Sequence, residues 1–399
     1  MTTLPLPTAG LLIRVNPSAG AHRVAVRAGV SVAVPLLVLW LTGRLAWSPY
    51  AAFGSFASLY GRDLAHLARL RMQLQAGAAL TLAVTIGTAV GCSPGRRWLA
   101  VLAVTCCAAA GSLASDRLRW HPAGPLFIVF GSAALATRPM SAGDIPVAFA
   151  VAASAALLAA AIGTAGRLRP GSRPATARQA IPGPASARPG WQWRQATRYA
   201  VAVLLAGAAA TVAGIGHPYW SMVAAVAAVT GADTTARITR AIQRVAGTLA
   251  GVLAAAGILA PHLPVPVLIA VIAVLQAATE LCIGRNYGLA VIFLTPLALA
   301  MGTLAQPVGT WTLLHDRAIE TVLGAVIGAA IALAAHARPR GRAVTQARSA
   351  NALPERPLVS RRVVDRVDGL GDQAGGAAVR VVGRPAGVSR IAGRGRTSR

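Results

Sequence analysis

The chain has 399 residues, 55% of them hydrophobic and only 12% charged, with a mean hydropathy of +0.59. All 38 basic residues are arginine and 11 acids oppose them, leaving a net charge of +27. The lack of lysine excludes P-loop, Schiff-base and kinase-type lysine chemistry, and so low a charged fraction excludes an ordinary soluble fold. On a globular protein this charge would point to nucleic acid; on a chain with long apolar runs it is first a topology signal.

A spanning helix needs about 20 apolar residues. Residues 1–22 show no signal-peptide core, because Leu11-Leu12-Ile13 is short and Arg14 follows at once, so insertion is expected from the membrane segments themselves. Apolar runs follow at 29–45, 50–60, 75–91, 98–114, 125–137 and 146–165. Residues 167–194, rich in Arg, Pro, Ser and Gly, read as a cytoplasmic linker. A second set runs over 199–215, 219–231, 245–260, 266–283, 287–305 and 319–335. Residues 336–399 have no sustained apolar period and read as a disordered, basic, cytoplasmic C-terminal tail. The expected domains are therefore 1–166, a linker over 167–194, 195–335, and a tail over 336–399. The fold class is all-α: a polytopic membrane protein of two repeated six-helix bundles, about 12 transmembrane helices in all.

The repeat is visible in the residues. Ser48-Pro49-Tyr50 parallels His217-Pro218-Tyr219, each followed by a short apolar run and a glycine, Gly61 or Gly231. Then come Gln73 with Gly77 and Gln243 with Gly247; upstream, Arg23 and Arg27 parallel Arg194 and Arg198. An even number of crossings per half gives both halves one orientation, as in transporters built from parallel repeats. With both termini inside, most arginines fall inside, and Arg44, Arg96, Arg97 and Arg138 fall outside.

Soluble-enzyme signatures are missing: no H-E-x-x-H, no G-x-S-x-G, and seven scattered histidines. No enzyme activity, no cofactor and no metal are expected. Cys92, Cys106, Cys107 and Cys282 lack metal or disulfide spacing and read as buried small side chains. The G-x-x-x-G pairs Gly87/Gly91, Gly247/Gly251 and Gly324/Gly328 read as helix packing.

Four features carry chemistry. Arg237, Arg240 and Arg244 share one helix face, as do Arg62 and Arg69, either on lipid phosphate at the cytoplasmic headgroups or as a basic mouth for anions. The short runs after Pro49 and Pro218 cover less than a bilayer, and interrupted helices at matching places mark transport sites. His217, Tyr219 and Trp220 open the second of these, either as an interfacial aromatic belt or as part of a solute path. Glu280, one turn after Gln276, lies inside an apolar run; Arg285 is its expected partner, in an interfacial ion pair or a proton-coupling site. Asp316, Arg317 and Glu320 form a further cluster, with Arg317 either exposed or pore-lining.

The stretch Gly216-His217-Pro218-Tyr219-Trp220-Ser221-Met222-Val223, followed by Arg240-Ala-Ile-Gln243-Arg244-Val-Ala-Gly247-Thr248-Leu-Ala-Gly251, resembles the membrane module of the fusaric-acid-resistance (FUSC) and aromatic acid exporter families. Arg317-x-x-Glu320-Thr321-x-x-Gly324 is similar to the families' later Arg-x-x-Gly-Thr-x-x-Gly pattern. The resemblance is best over 194–335 and weak in the first half. It implies a six-helix module, usually duplicated, in the bacterial inner membrane. It also implies export of aromatic carboxylic acids, or anion conduction as in plant relatives, and supplies no catalytic residues. Longer exporters of the family carry a large cytoplasmic domain where this chain has a short linker, which leaves a periplasmic adaptor open.

The expectation is a gradient-driven efflux protein for small, anionic or aromatic organic solutes. Its pathway is expected to use His217, Tyr219, Trp220, Arg240, Arg244, Gln276, Glu280 and Arg317. The partners expected are the lipid bilayer and a small organic anion, with a homo-oligomer left open and no nucleic acid. The competing expectation is a non-transporting scaffold whose basic tail binds anionic lipid or nucleic acid; the tail's lack of stacking aromatics weighs against it.

Overall fold

The computed structural model describes residues 7–17, 20–165, 190–305 and 309–337. Most of the expected linker, 167–189, and the expected tail from 338 on lie outside the described residues. The described elements are α1 (Ala9–Ile13), α2 (Ala21–Leu41), α3 (Ser48–Ser55) flanked by 3-10 turns at Leu45–Trp47 and Phe56–Leu59, α4 (His66–Gly91), α5 (Arg96–Arg117), α6 (Leu126–Ala136) and α7 (Asp144–Thr164). After the linker come α8 (Trp191–Val212), α9 (Tyr219–Val229), α10 (Thr234–Leu259), α11 (Val265–Ile283), α12 (Tyr287–Ala305) and α13 (Thr310–Ala337). Among the described residues there is no strand.

Nine of the described helices are long and apolar enough to cross a membrane: α2, α4, α5, α7, α8 and α10 to α13. The segments at α3, α6 and α9 are shorter. Eleven residues, the length of α6 and of α9, make about 16 Å of helix against a hydrocarbon core of ~30 Å. The expected count of about 12 full crossings is thus replaced by nine full-length candidates and three short pieces.

The sequence runs place every one of these elements but start several too late. α4 begins at His66 rather than 75, α8 at Trp191 rather than 199, α10 at Thr234 rather than 245, and α13 at Thr310 rather than 319. Each missing first turn carries arginine or polar residues, which interrupt an apolar run but not the backbone hydrogen bonds that make a helix. The expected linker therefore yields its last residues to α8. Arg62 lies in the turn before α4, not on it, so it does not share a helix face with Arg69.

Two caps set the arginine-bearing helix α10 in place. Asp233 Oδ1 accepts from the Ala236 backbone N–H at 2.8 Å, an N-cap. Arg237 Nε donates to Val229 O at 3.1 Å, tying the start of α10 to the end of α9. In the first half Arg69 does the same work, donating to the carbonyls of Gly61, Leu64 and Gly163. These guanidiniums face protein carbonyls, which corrects the reading of Arg69 and Arg237 as lipid-phosphate ligands.

The packing follows the repeat. Within the first half α4 packs on α6 and α7; within the second α10 packs on α12 and α13. Between halves the partners are exchanged in the same manner: α5 lies on α8 and α11 on α2, while α6 meets α9 and α12 meets α3. The glycine pairs sit in the corresponding seams, as their spacing implies. A Cβ on Gly87 would lie 2.4 Å from Ser132 O, one on Gly247 2.5 Å from Gly288 O, and one on Gly324 2.1 Å from Ser221 O. Of the four free cysteines only Cys107 is buried and Cys106 is exposed, against the expectation of burial; facing acyl chains, a small thiol needs no protein cover. Gly324→Val is expected to cost at least the 1–3 kcal/mol usual for overpacking and to deplete the monodisperse peak in detergent chromatography. Gly257→Ala, with nothing within 4 Å of the new Cβ, is expected to behave as the parent.

Candidate functional site

The start of α9 is built around Glu320 of α13. The chain reaches it through Gly216, where a Cβ would lie 2.6 Å from Asp316 Oδ2, so a larger residue would displace that carboxylate. The Glu320 carboxylate accepts the backbone N–H of His217 at 2.9 Å and of Trp220 at 3.2 Å. The Trp220 N–H is shared with His217 O at 3.1 Å, and a carboxylate on donors of this kind is the favourable arrangement at a helix N-terminus. One helical turn before Glu320, Asp316 Oδ2 lies 2.7 Å from His217 Nδ1. The short helix is thereby anchored at its first turn, with Tyr219 and Trp220 directed toward the first half.

Those two side chains line a cavity of about 180 Å³ between the halves. α3 contributes Pro49 and Phe53, the 3-10 turn after it Phe56, α6 contributes Phe130, and α12 contributes Leu297 and Met301. The rings form a connected set. Phe130 stacks on Tyr219 (centroids 6.4 Å, 18°) and lies 5.0 Å from Trp220, while Phe53 meets Phe130 edge-on at 4.9 Å. Polar groups enter from Arg138 and His217. The arrangement suits a flat, largely apolar molecule with one polar end.

Behind Trp220 lies a second group. The Arg317 guanidinium sits 3.7 Å over the Trp220 ring, a cation–π contact. Arg244 of α10 is close enough for the two cations to repel one another, and its Nη1 donates to Tyr287 Oη at 3.3 Å. Arg240 lies over the Tyr287 ring at 4.7 Å. Arg244 is 1% exposed and Arg317 0%. Burial excludes a lipid-phosphate role for Arg244, and for Arg317 it decides against the exposed alternative.

Gln276 and Glu280 lie elsewhere, on the face of α11 that meets α2. Glu280 is 5% exposed, and its Oε2 lies 3.2 Å from Arg62 Nη2, with Arg27 of α2 also in its field. The partner is therefore Arg62 of the first half rather than Arg285. Arg285 follows Gly284, past the end of α11, while Glu280 points into the seam. The eight candidate residues thus divide into two groups. His217, Tyr219, Trp220, Arg240, Arg244 and Arg317 gather around α9 and α10, and Gln276 and Glu280 join the halves.

Among the described residues no three His, Cys, Asp or Glu side chains converge as metal ligands would.

Residues 204–331 match the family model described as fusaric acid resistance protein-like. The second half of the chain is thus similar to a FUSC module over these residues. The match takes in the end of α8, all of α9 to α12 and most of α13, and so contains every one of the eight candidate residues. No curated protein and no solved structure matches the chain. With nine helices long and apolar enough to cross a membrane among the described residues, this similarity fits a multi-pass membrane protein of transporter type.

Sequence reasoning missed the first half's share of the site. Phe53, Phe56 and Phe130 lie in runs whose position was clear, but nothing in one sequence says which ring of an apolar run faces another run. Arg62 was visible as a charge, and its pairing with Glu280 required knowing that α11 packs on the first half.

Proposed function

We propose that the protein is a gradient-driven membrane transporter that exports small aromatic or similarly flat organic solutes bearing one acidic group. The observation that carries this reading is the inter-half cavity, walled by aromatic rings from both repeats and reached by Arg138 and His217. A cavity at a repeat interface, beside a short helix, is where transporters of this construction hold their solute. The cavity's Tyr219 and Trp220 bind the solute body, Arg138 and His217 orient the acid, and Glu280 with Arg62 forms the coupling and gating pair between halves. The pattern of arginines favours both termini in the cytoplasm of a bacterial cell, the protein lying in the inner membrane. The family match, in a fusaric-acid-resistance-like group, supports an aromatic acid as solute.

The test is a competition screen in proteoliposomes preloaded with labelled benzoate. Aromatic monoacids are expected to compete, with aliphatic diacids of similar charge at least tenfold weaker. Equal competition by both classes, or none by either, would overturn the assignment. Within that assay Phe130→Ala is expected to weaken apparent benzoate affinity about tenfold, since base-sized rings on aromatic walls are worth about 1–3 kcal/mol each. An unchanged affinity would remove Phe130 from the binding wall.

A further inference from the structure

We propose that Arg244 and Arg317 form an anion-binding site of their own, set behind the Trp220 ring and distinct from the aromatic cavity, that takes a small monovalent anion: a free halide or the carboxylate group of a solute. Two guanidiniums on different helices, both fully buried, repel each other. Neither lies within 4.0 Å of a carboxylate oxygen among the described residues. Of the two acids beside Arg317 on α13, Asp316 is paired with His217 Nδ1, and Glu320 has both oxygens engaged by the His217 and Trp220 backbone N–H groups. Arg317 Nε and Nη1 and Arg244 Nε are buried donors without a hydrogen-bond acceptor. One turn further along the same buried faces, Thr248 and Thr321 carry buried hydroxyls in the same condition.

A buried polar donor without an acceptor is destabilising, and a charged one more so. Several such donors, all capable of giving a hydrogen to an anion and belonging to two like charges, make a site that one negative charge completes. Monovalency follows from the charge: two cations already answered in part by Glu320 and by the Trp220 face leave room for about one more negative charge. Trp220 lines the cavity and carries Arg317 over its ring, and neither Arg317 nor Arg244 is among the residues that line the cavity. The Trp220 Nε1 has no partner either, so no hydrogen bond holds the ring closed. The ring therefore stands as the partition between a solute cavity and an anion site.

The inference goes beyond the transport reading and fails separately from it. The test uses purified full-length protein in detergent, in gluconate buffer at fixed ionic strength, titrated with sodium iodide, which quenches tryptophan on contact. The wild type is expected to show a saturable quenching component above the linear background. Trp220→Phe is expected to remove that component. Arg244→Gln and Arg317→Gln are each expected to raise its half-saturation at least tenfold, in protein that elutes as the parent does. Should either arginine variant fail to fold, the chloride-for-gluconate shift in wild-type melting temperature stands in for it: several degrees upward is expected. Chloride added against iodide identifies a free-halide site, and competition by acetate or benzoate alone identifies a carboxylate site; either outcome supports the proposal. A purely linear wild-type response, or a saturable one unchanged in Trp220→Phe or in the arginine variants, overturns it. Saturable binding in a protein that moves no benzoate sinks only the transport reading; transport without saturable quenching sinks only this one.

Discussion

Glu280→Gln is expected to abolish gradient-driven solute flux while leaving the protein inserted and monodisperse. Glu280 is buried on α11, faces Arg62 at 3.2 Å, and lies within the field of Arg27. Removing the carboxylate's charge leaves Arg62 and Arg27, both of the first half, at the seam with no anion opposite them. Breaking a buried ion pair by deleting one partner costs about 3–5 kcal/mol. That range is an upper bound here, because Arg62 keeps 23% of its side chain exposed and is partly screened. A lowered melting temperature alone would not separate a structural lock from a coupling group. The exchanged pair Arg62→Glu with Glu280→Arg does so: it restores the attraction and hence the melting temperature, yet moves the carboxylate off α11. Flux is expected to stay lost in the exchanged pair. Recovery of flux with the exchange would make the pair a lock between halves and nothing more.

Glu320→Leu is expected to be the most damaging single substitution near the cavity. It removes the carboxylate that the His217 and Trp220 N–H groups share at the first turn of α9, leaving the Trp220 N–H with His217 O alone. Hydrogen bonds to a charged group are worth about 1.5–3 kcal/mol each, and the His217 donor left behind adds its own desolvation cost. It also removes a carboxylate whose charge acts on Arg317. Loss of the folded, monodisperse species is expected, with Glu320→Gln intermediate because its amide oxygen keeps one acceptor. Wild-type yield and melting temperature in Glu320→Leu would show that α9 is held by other contacts.

Much of this architecture was legible because lipid imposes simple rules. Apolar length located each helix, and Pro-Tyr, Gly, Gln and Gly at matching intervals exposed the repeat. The glycine pairs gave correct packing seams, since small residues four apart have one physical use between helices. Helix starts at His66 and Thr234 were missed because Arg69, Arg237 and Arg244 look like the end of an apolar run. They turn inward instead, Arg69 and Arg237 onto carbonyls and Arg244 onto Tyr287. His217, Tyr219 and Trp220 were found from the sequence because a short helix after proline is unusual. Their partners Phe53 and Phe130, and Arg62 opposite Glu280, depend on how one half docks against the other, which local pattern does not encode.

The central claim is that solute passes through the aromatic cavity where the two repeats meet. Ala134 of α6 and Ala298 of α12 line it from opposite halves, so Ala134→Phe and Ala298→Phe fill it from either side with side chains that suit their apolar runs. Benzoate flux from proteoliposomes, measured for both variants at matched protein incorporation, is the direct measurement. At least a tenfold loss in each is expected; wild-type flux in both would place the solute path outside this cavity.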